Sequence, residues 1–105
     1  MTAFDDRQNA FENKFAHDAE LQFKVAARRN KLTGLWAAGL LGHSGDAAEA
    51  YAKSIVVADL AEAGDDDVVA KLLADLAGTG TDEAAIRAAL AANFADARRQ
   101  IMETM

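Results

Sequence analysis

Three side chains able to ligate a metal or move a proton, His17, Asp18 and Glu20, fall within four consecutive positions. On a helix, His17 and Glu20 share a face. A carboxylate-bridged metal pair draws ligands from several helices, and here there is one set on one element. Solvated side chains are therefore the expectation here, with no metal site. His17 has one further capacity, because imidazole changes charge near neutral pH and can tune an adjacent binding surface. A second acidic run, Asp65, Asp66 and Asp67, lacks the spaced oxygen ligands and closing glutamate of an EF-hand loop. It fits better as a helix cap with favourable charge at the positive end of a helix. His17 and His43 have no cysteine to activate, and neither a G-x-S-x-G nor a G-x-x-x-x-G-K-[ST] motif occurs. The chain is expected not to be an enzyme and to need no cofactor.

The residues that speak to function are apolar. Of the five phenylalanines, Phe4, Phe11, Phe15 and Phe23 lie in the first 23 residues, among charged and amide side chains. If residues 4 to 41 form one helix, Phe4, Phe11 and Phe15 fall within about 40° of one another. A second stripe, Leu21, Val25, Leu32, Leu35 and Trp36, is centred about 80° away on the same wheel. One straight helix would then face two surfaces. The second stripe is expected to dock onto the rest of the chain and the first to be offered to a partner.

The elements that must carry these residues are helical. There is no proline, alanine is abundant and β-branched residues are few, so intrinsic propensity favours helix throughout. Glycines punctuate the pattern at Gly42-His43-Ser44-Gly45, at Gly64 and at Gly78-Thr79-Gly80, giving four helices. Ser44 or Asp46 is placed to cap the second, which carries Ala48, Tyr51, Ile55 and Ala58 at helical spacing. Asp65 to Asp67 cap a short third with Val68, Leu72, Leu73 and Leu76. Thr81 is expected to cap the fourth, whose inner stripe is Ile86, Leu90, Phe94, Ala97 and Ile101. Short connections predict antiparallel neighbours, so the fold class is all-α, a four-helix bundle with a mobile or extended helical N-terminal segment. Residues 1–18 are read as that segment, mobile when free, and 19–105 as the bundle. The expected core is Trp36, Leu32, Tyr51, Leu72, Leu90 and Phe94.

At 105 residues the chain makes one small domain, and the absence of cysteine removes disulfides and thiolate metal sites. The charged opening does not resemble a signal peptide, and the apolar run from Leu35 to Leu41 is far too short to span a bilayer. An intracellular, soluble protein is expected, with no direct membrane insertion. The net charge of −6 is uneven, since residues 1–31 carry a small positive excess and the remainder is strongly acidic. An acidic body excludes the electrostatic footprint of a nucleic-acid binder. Lys24, Arg28 and Lys31 line one helix face, read as solvated, with an acidic partner surface as the alternative.

Gly78-Thr79-Gly80-Thr81-Asp82-Glu83 resembles the calcium loop of an annexin repeat, but that site closes with a carboxylate nearly forty residues downstream and the chain ends at Met105. A helix stop followed by a cap accounts for the same residues. A broader resemblance rests on Phe4-Asp5-Asp6-Arg7, Ala10-Phe11-Glu12, Lys14-Phe15-Ala16-His17-Asp18, Ala27-Arg28-Arg29-Asn30-Lys31-Leu32 and Gly34-Leu35-Trp36-Ala37-Ala38. It continues through Gly45-Asp46-Ala47-Ala48, Tyr51-Ala52-Lys53 and Ala63-Gly64. Over essentially its whole length the chain resembles the zeta subunit family, inhibitors of bacterial F-type ATP synthases.

The resemblance implies a globular four-helix part and an inhibitory N-terminal segment. That segment would enter an interface between the catalytic α and β subunits near the central γ shaft and block rotation in the hydrolysis direction. The partner-binding residues are then Phe4, Asp5, Asp6, Arg7, Phe11, Glu12, Lys14, Phe15, His17 and Asp18. Phe4, Phe11 and Phe15 would anchor the segment, and the polar residues would set its register. The implied partners are the α, β and γ subunits, and the implied place is the cytoplasm, peripheral on the membrane-bound synthase, with a monomer when free. Two other classes compete: a helical adaptor acting through the bundle surface, and a bundle binding a small ligand such as a nucleotide near Trp36 and Tyr51.

Overall fold

The computed structural model describes residues 18–61 and 65–104. Among them are four helices: α1 (Ala19–Leu40), α2 (Gly45–Ala61), α3 (Asp66–Asp75) and α4 (Glu83–Glu103). Helix α1 packs against both α2 and α4, while the short α3 bridges α2 and α4. The expected all-α four-helix architecture is what forms.

The ends of the helices show why the breaks fall where they do. At the close of α1, Gly42 takes φ +83°, a conformation open chiefly to glycine, and the His43 amide donates back to the Ala38 carbonyl at 2.9 Å. Between α3 and α4, the Thr79 hydroxyl donates to the Leu76 carbonyl at 2.7 Å and accepts from the Thr81 amide at 3.3 Å. Thr81, the expected cap of α4, is thus occupied one residue too early. Asp82 caps instead: its backbone is extended and its carboxylate accepts from the Ala85 amide at 2.8 Å. Asp65 holds the cap position of α3 but makes no capping bond, because its carboxylate is drawn to Arg29 at 2.9 Å.

The core is aliphatic. Ile55, Leu72, Leu76, Ile86, Val25 and Val68 are fully buried, each contributing about 1.5–3 kcal/mol relative to exposure. Ile55, Val68, Val69, Leu72, Leu76, Ile86 and Leu90 form one cluster with Ala37, against which Trp36, Leu41, Tyr51 and Leu73 pack as partly buried neighbours. Of the expected core, Leu72 and Leu90 are buried, whereas Trp36, Leu32, Tyr51 and Phe94 are only partly so. Large rings and long side chains fit at the margins, since the helices approach too closely for them to enter the centre. Gly34 shows how close: a Cβ there would lie 2.6 Å from the Ala52 Cα.

Candidate partner-binding site

Of the ten expected partner-binding residues, only Asp18 is described. Phe4, Asp5, Asp6, Arg7, Phe11, Glu12, Lys14, Phe15 and His17 lie outside the described residues. Asp18 sits where α1 begins, with extended backbone (φ −116°, ψ 102°), and its Oδ1 accepts from the Leu21 amide at 3.1 Å. It satisfies an amide that the helix itself leaves without a partner. Of the helix considered over residues 4 to 41, the described part begins at Ala19 and ends at Leu40, and the phenylalanine stripe of Phe4, Phe11 and Phe15 lies outside the described residues.

The first turns of α1 are anchored directly after this cap. Leu21 and Val25 are buried, as the second stripe predicts, but Leu32, Leu35 and Trp36 further along are only partly buried. The buried set of α1 also includes Arg29, Asn30, Thr33, Gly34, Ala37 and Ala38. Three of these are polar, and their side chains are tied together and to other helices. Arg29 Nε donates to Asn30 Oδ1 at 3.0 Å, and its guanidinium reaches Asp65 at 2.9 Å and Asp59 at 4.0 Å. The Thr33 hydroxyl donates to the Arg29 carbonyl at 2.9 Å and accepts from Asn93 at 3.0 Å. Nothing in a hydropathy pattern marks these residues, because a polar side chain paired across helices looks the same in sequence as a solvated one.

The basic face of α1 is largely self-satisfied. Lys24 lies 3.5 Å from Glu20, Lys31 lies 3.8 Å from Glu49, and Arg28 donates to Gln100 at 2.9 Å. These exposed contacts are worth little individually, yet they favour the solvated reading over an acidic partner. Phe23 is 54% exposed on the same helix. The carboxylates considered for metal have other work: Glu20 pairs with Lys24, Asp65 with Arg29, and Asp66 lies 3.6 Å from Arg87. Among the described residues no group of three or more histidines and carboxylates is arranged to hold a metal ion.

At the other end of α3, the Tyr51 hydroxyl donates to Asp75 at 2.8 Å, and Lys71 contacts the same oxygen at 2.9 Å. Burial and the adjacent carboxylate push the Tyr51 phenol well above its ordinary range. Burial works against ionisation of Asp75, but hydrogen bonds from Lys71 and Tyr51 outweigh it and hold the carboxyl below its ordinary value. Two open grooves among the described residues can be compared with the small-ligand site considered beside Trp36 and Tyr51. One open groove of about 390 Å³ is lined by Lys31, Glu49, Ala50, Lys53 and Val56. Another of about 380 Å³ is lined by Arg29, Asp65, Arg87, Leu90, Ala91 and Phe94. Neither reaches those rings. No described helix is long and apolar enough to cross a membrane.

The family described as ATPase inhibitor subunit zeta matches residues 1–100, both the N-terminal segment and nearly all of the bundle. The chain belongs to that family. A protein whose structure was determined by NMR in solution shares 50% sequence identity with it, with a TM-score of 0.74 over 81% of this chain and 99% of the other. No curated protein matches the chain. The family is one of ATPase inhibitor subunits, which connects the chain to an ATP synthase.

Proposed function

We propose that the chain inhibits ATP hydrolysis by the catalytic head of an F-type ATP synthase, with residues 1–18 as the inhibitory segment and residues 19–105 as the bundle that carries it. The segment enters an interface between the α and β subunits near γ and blocks rotation. The observation that carries this reading is the match of the zeta inhibitor family from residue 1 to residue 100, which takes in the phenylalanine-bearing segment together with the bundle. The bundle supports it from its own side, since a buried aliphatic cluster holds its helices together and Lys24 and Lys31 of α1 lie beside carboxylates of the same chain.

Within the segment, Phe4, Phe11 and Phe15 serve as anchors as it orders in a cleft, in the manner of an amphipathic helix in a groove. Ordering a tail opposes binding by several kcal/mol, and each buried phenylalanine returns about 1.5–3 kcal/mol. Asp5, Asp6, Arg7, Glu12, Lys14 and Asp18 set register and selectivity. The subunit acts in the cytoplasm, peripheral on the synthase, and is a monomer when free.

The test is hydrolysis by a cognate catalytic head stripped of its own inhibitor, measured with the full chain and with a chain lacking residues 1–17. Inhibition by the full chain alone, with the truncated bundle still folded, is the expected result. Equal inhibition by both would transfer function to the bundle surface, as for an adaptor, and inhibition by neither would refute the reading.

A further inference from the structure

In a chain of net charge −6, the flank where α1 runs beside α2 gathers cations. Lys24, Arg28 and Lys31 follow one another along α1, and Lys31 lines the groove of about 390 Å³ together with Glu49, Ala50, Lys53 and Val56 of α2. Ala50 is exposed and Val56 partly buried, and Val57 beside it is 56% exposed. The groove therefore combines apolar ground with a lysine from each helix. Both lysines are available to a partner. Lys53 has no hydrogen bond or ion pair with any described residue. Lys31 lies 3.8 Å from Glu49, and both side chains are at least half exposed. An exposed pair of that length contributes little, so another carboxylate can displace it at small cost. The groove beside Phe94 offers no such opening, because its two arginines are already engaged, Arg29 by Asp65 and Arg87 by Glu83.

We propose that the α1–α2 groove is a docking surface of the bundle itself, shaped for an acidic amphipathic helix on the ATPase that the chain inhibits. This rests on the reading of the chain as an inhibitor of that ATPase and adds a contact to it. An apolar side chain of the partner helix lies over Ala50 and Val56, and carboxylates flanking it meet Lys31 and Lys53. In the free chain the two lysines are solvated, and the partner replaces that water, and Glu49 at Lys31, with its own carboxylates. Glu49 narrows the choice of partner, because a uniformly acidic surface is repelled there and the matching helix must set a neutral or basic group opposite it. Charges at the rim of such a contact act chiefly on the rate of encounter, whereas the apolar ground acts on retention. The groove thus governs how fast the inhibitor engages and how long it stays.

The test is the time course of inhibition of a cognate catalytic head, stripped of its own inhibitor, by the full chain and its variants. Lys31→Glu combined with Lys53→Glu is expected to slow the onset of inhibition about tenfold at about 50 mM salt, and about twofold at about 300 mM. Arg87→Glu combined with Arg99→Glu makes the same change in net charge on the exposed side of α4, and is expected to stay within about twofold of the parent at both. Ala50→Gln leaves the charge alone and stands a longer side chain in the groove. It is expected to raise the half-inhibitory concentration about fivefold at either salt. Because Ala50 is exposed, its melting temperature should stay within about 3 °C of the parent's. Equal slowing by the two charge-reversed pairs, no slowing by the lysine pair, or unchanged inhibition by Ala50→Gln would each overturn the docking surface and leave the inhibitor reading standing. If the parent chain itself does not inhibit, the inhibitor reading falls and the docking surface with it.

Discussion

The two ends of α3 are held by polar groups of opposite character. At its start, Arg29 lies almost buried between Asp65 and Asp59 and also donates to Asn30, whose amide nitrogen is buried without a partner of its own. At its finish, Tyr51, Lys71 and Asp75 form a clasp that is about one-third exposed at both charged groups. The buried arrangement carries a larger desolvation penalty and is correspondingly intolerant of losing one member, whereas water can replace part of what the exposed clasp provides. A ten-residue helix is too short to be stable alone, so α3 depends on its aliphatic face and on these two attachments.

The largest effect should come from breaking the buried end. Arg29→Ala leaves Asn30 Oδ1 and two carboxylates without their shared donor, and is expected to destabilise the bundle by about 3 kcal/mol, the lower part of the usual range because Asp65 is nearly half exposed. Urea unfolding measures it, and a loss below about 1 kcal/mol would mean that the seam is already hydrated. Gly34→Ala offers a calibration by pure packing. The new methyl group meets backbone at Ala52, which has no flexible end to move aside, so a loss of about 2 kcal/mol is expected.

Breaking the exposed end should do less. Tyr51→Phe removes the hydroxyl bond to Asp75 while keeping the ring, and about 1 kcal/mol is expected in the same unfolding experiment. An equal or greater loss than for Arg29→Ala would invert the ranking of the two ends. The clasp also has a pH signature. Asp75 is held below its ordinary value when folded, so its contribution is present at neutral pH and is lost as the pH falls through and below the ordinary carboxyl range near 3.8. Tyr51 is raised when folded, so its contribution is full below pH 10 and declines as the pH rises beyond it, where the unfolded phenol ionises first. In Tyr51→Phe the alkaline decline should become shallower, read from melting temperature against pH. Smallest of all, Thr81→Ala should change stability by only a few tenths of a kcal/mol, while Asp82→Ala should lose about 1 kcal/mol, which checks which residue caps α4.

The helices were legible because their signals are local. Alanine-rich composition without proline, glycines at Gly42 and Gly78, and apolar spacing at Ile55, Val68, Leu72, Ile86 and Leu90 each act within a turn or two, and each appears in the structure. Caps were less legible, because Thr81 and Asp82 can both cap a helix and Thr79 engages Thr81. Arg29, Asn30 and Thr33 gave no signal at all. Arg29 pairs with Asp59 and Asp65 and Thr33 with Asn93, partners that lie far away in sequence. On the partner-binding side, Asp18 was read for its charge, and its use as a cap became visible only once its backbone and the Leu21 amide were seen together.

By itself the sequence determined the number and kind of helices, the concentration of phenylalanine before residue 24 and the family to which the chain belongs. Each of these follows from local propensity or from the linear order of residues. The tertiary structure alone decided which residues fill the centre, because close helix approach at Gly34 excludes rings and admits aliphatic side chains. It alone decided which polar groups are buried, because a buried polar residue is stable only beside a partner that the fold brings from elsewhere in the chain. And it decided where α1 starts, because a cap forms only where an extended backbone lets the side chain turn back onto the helix that follows.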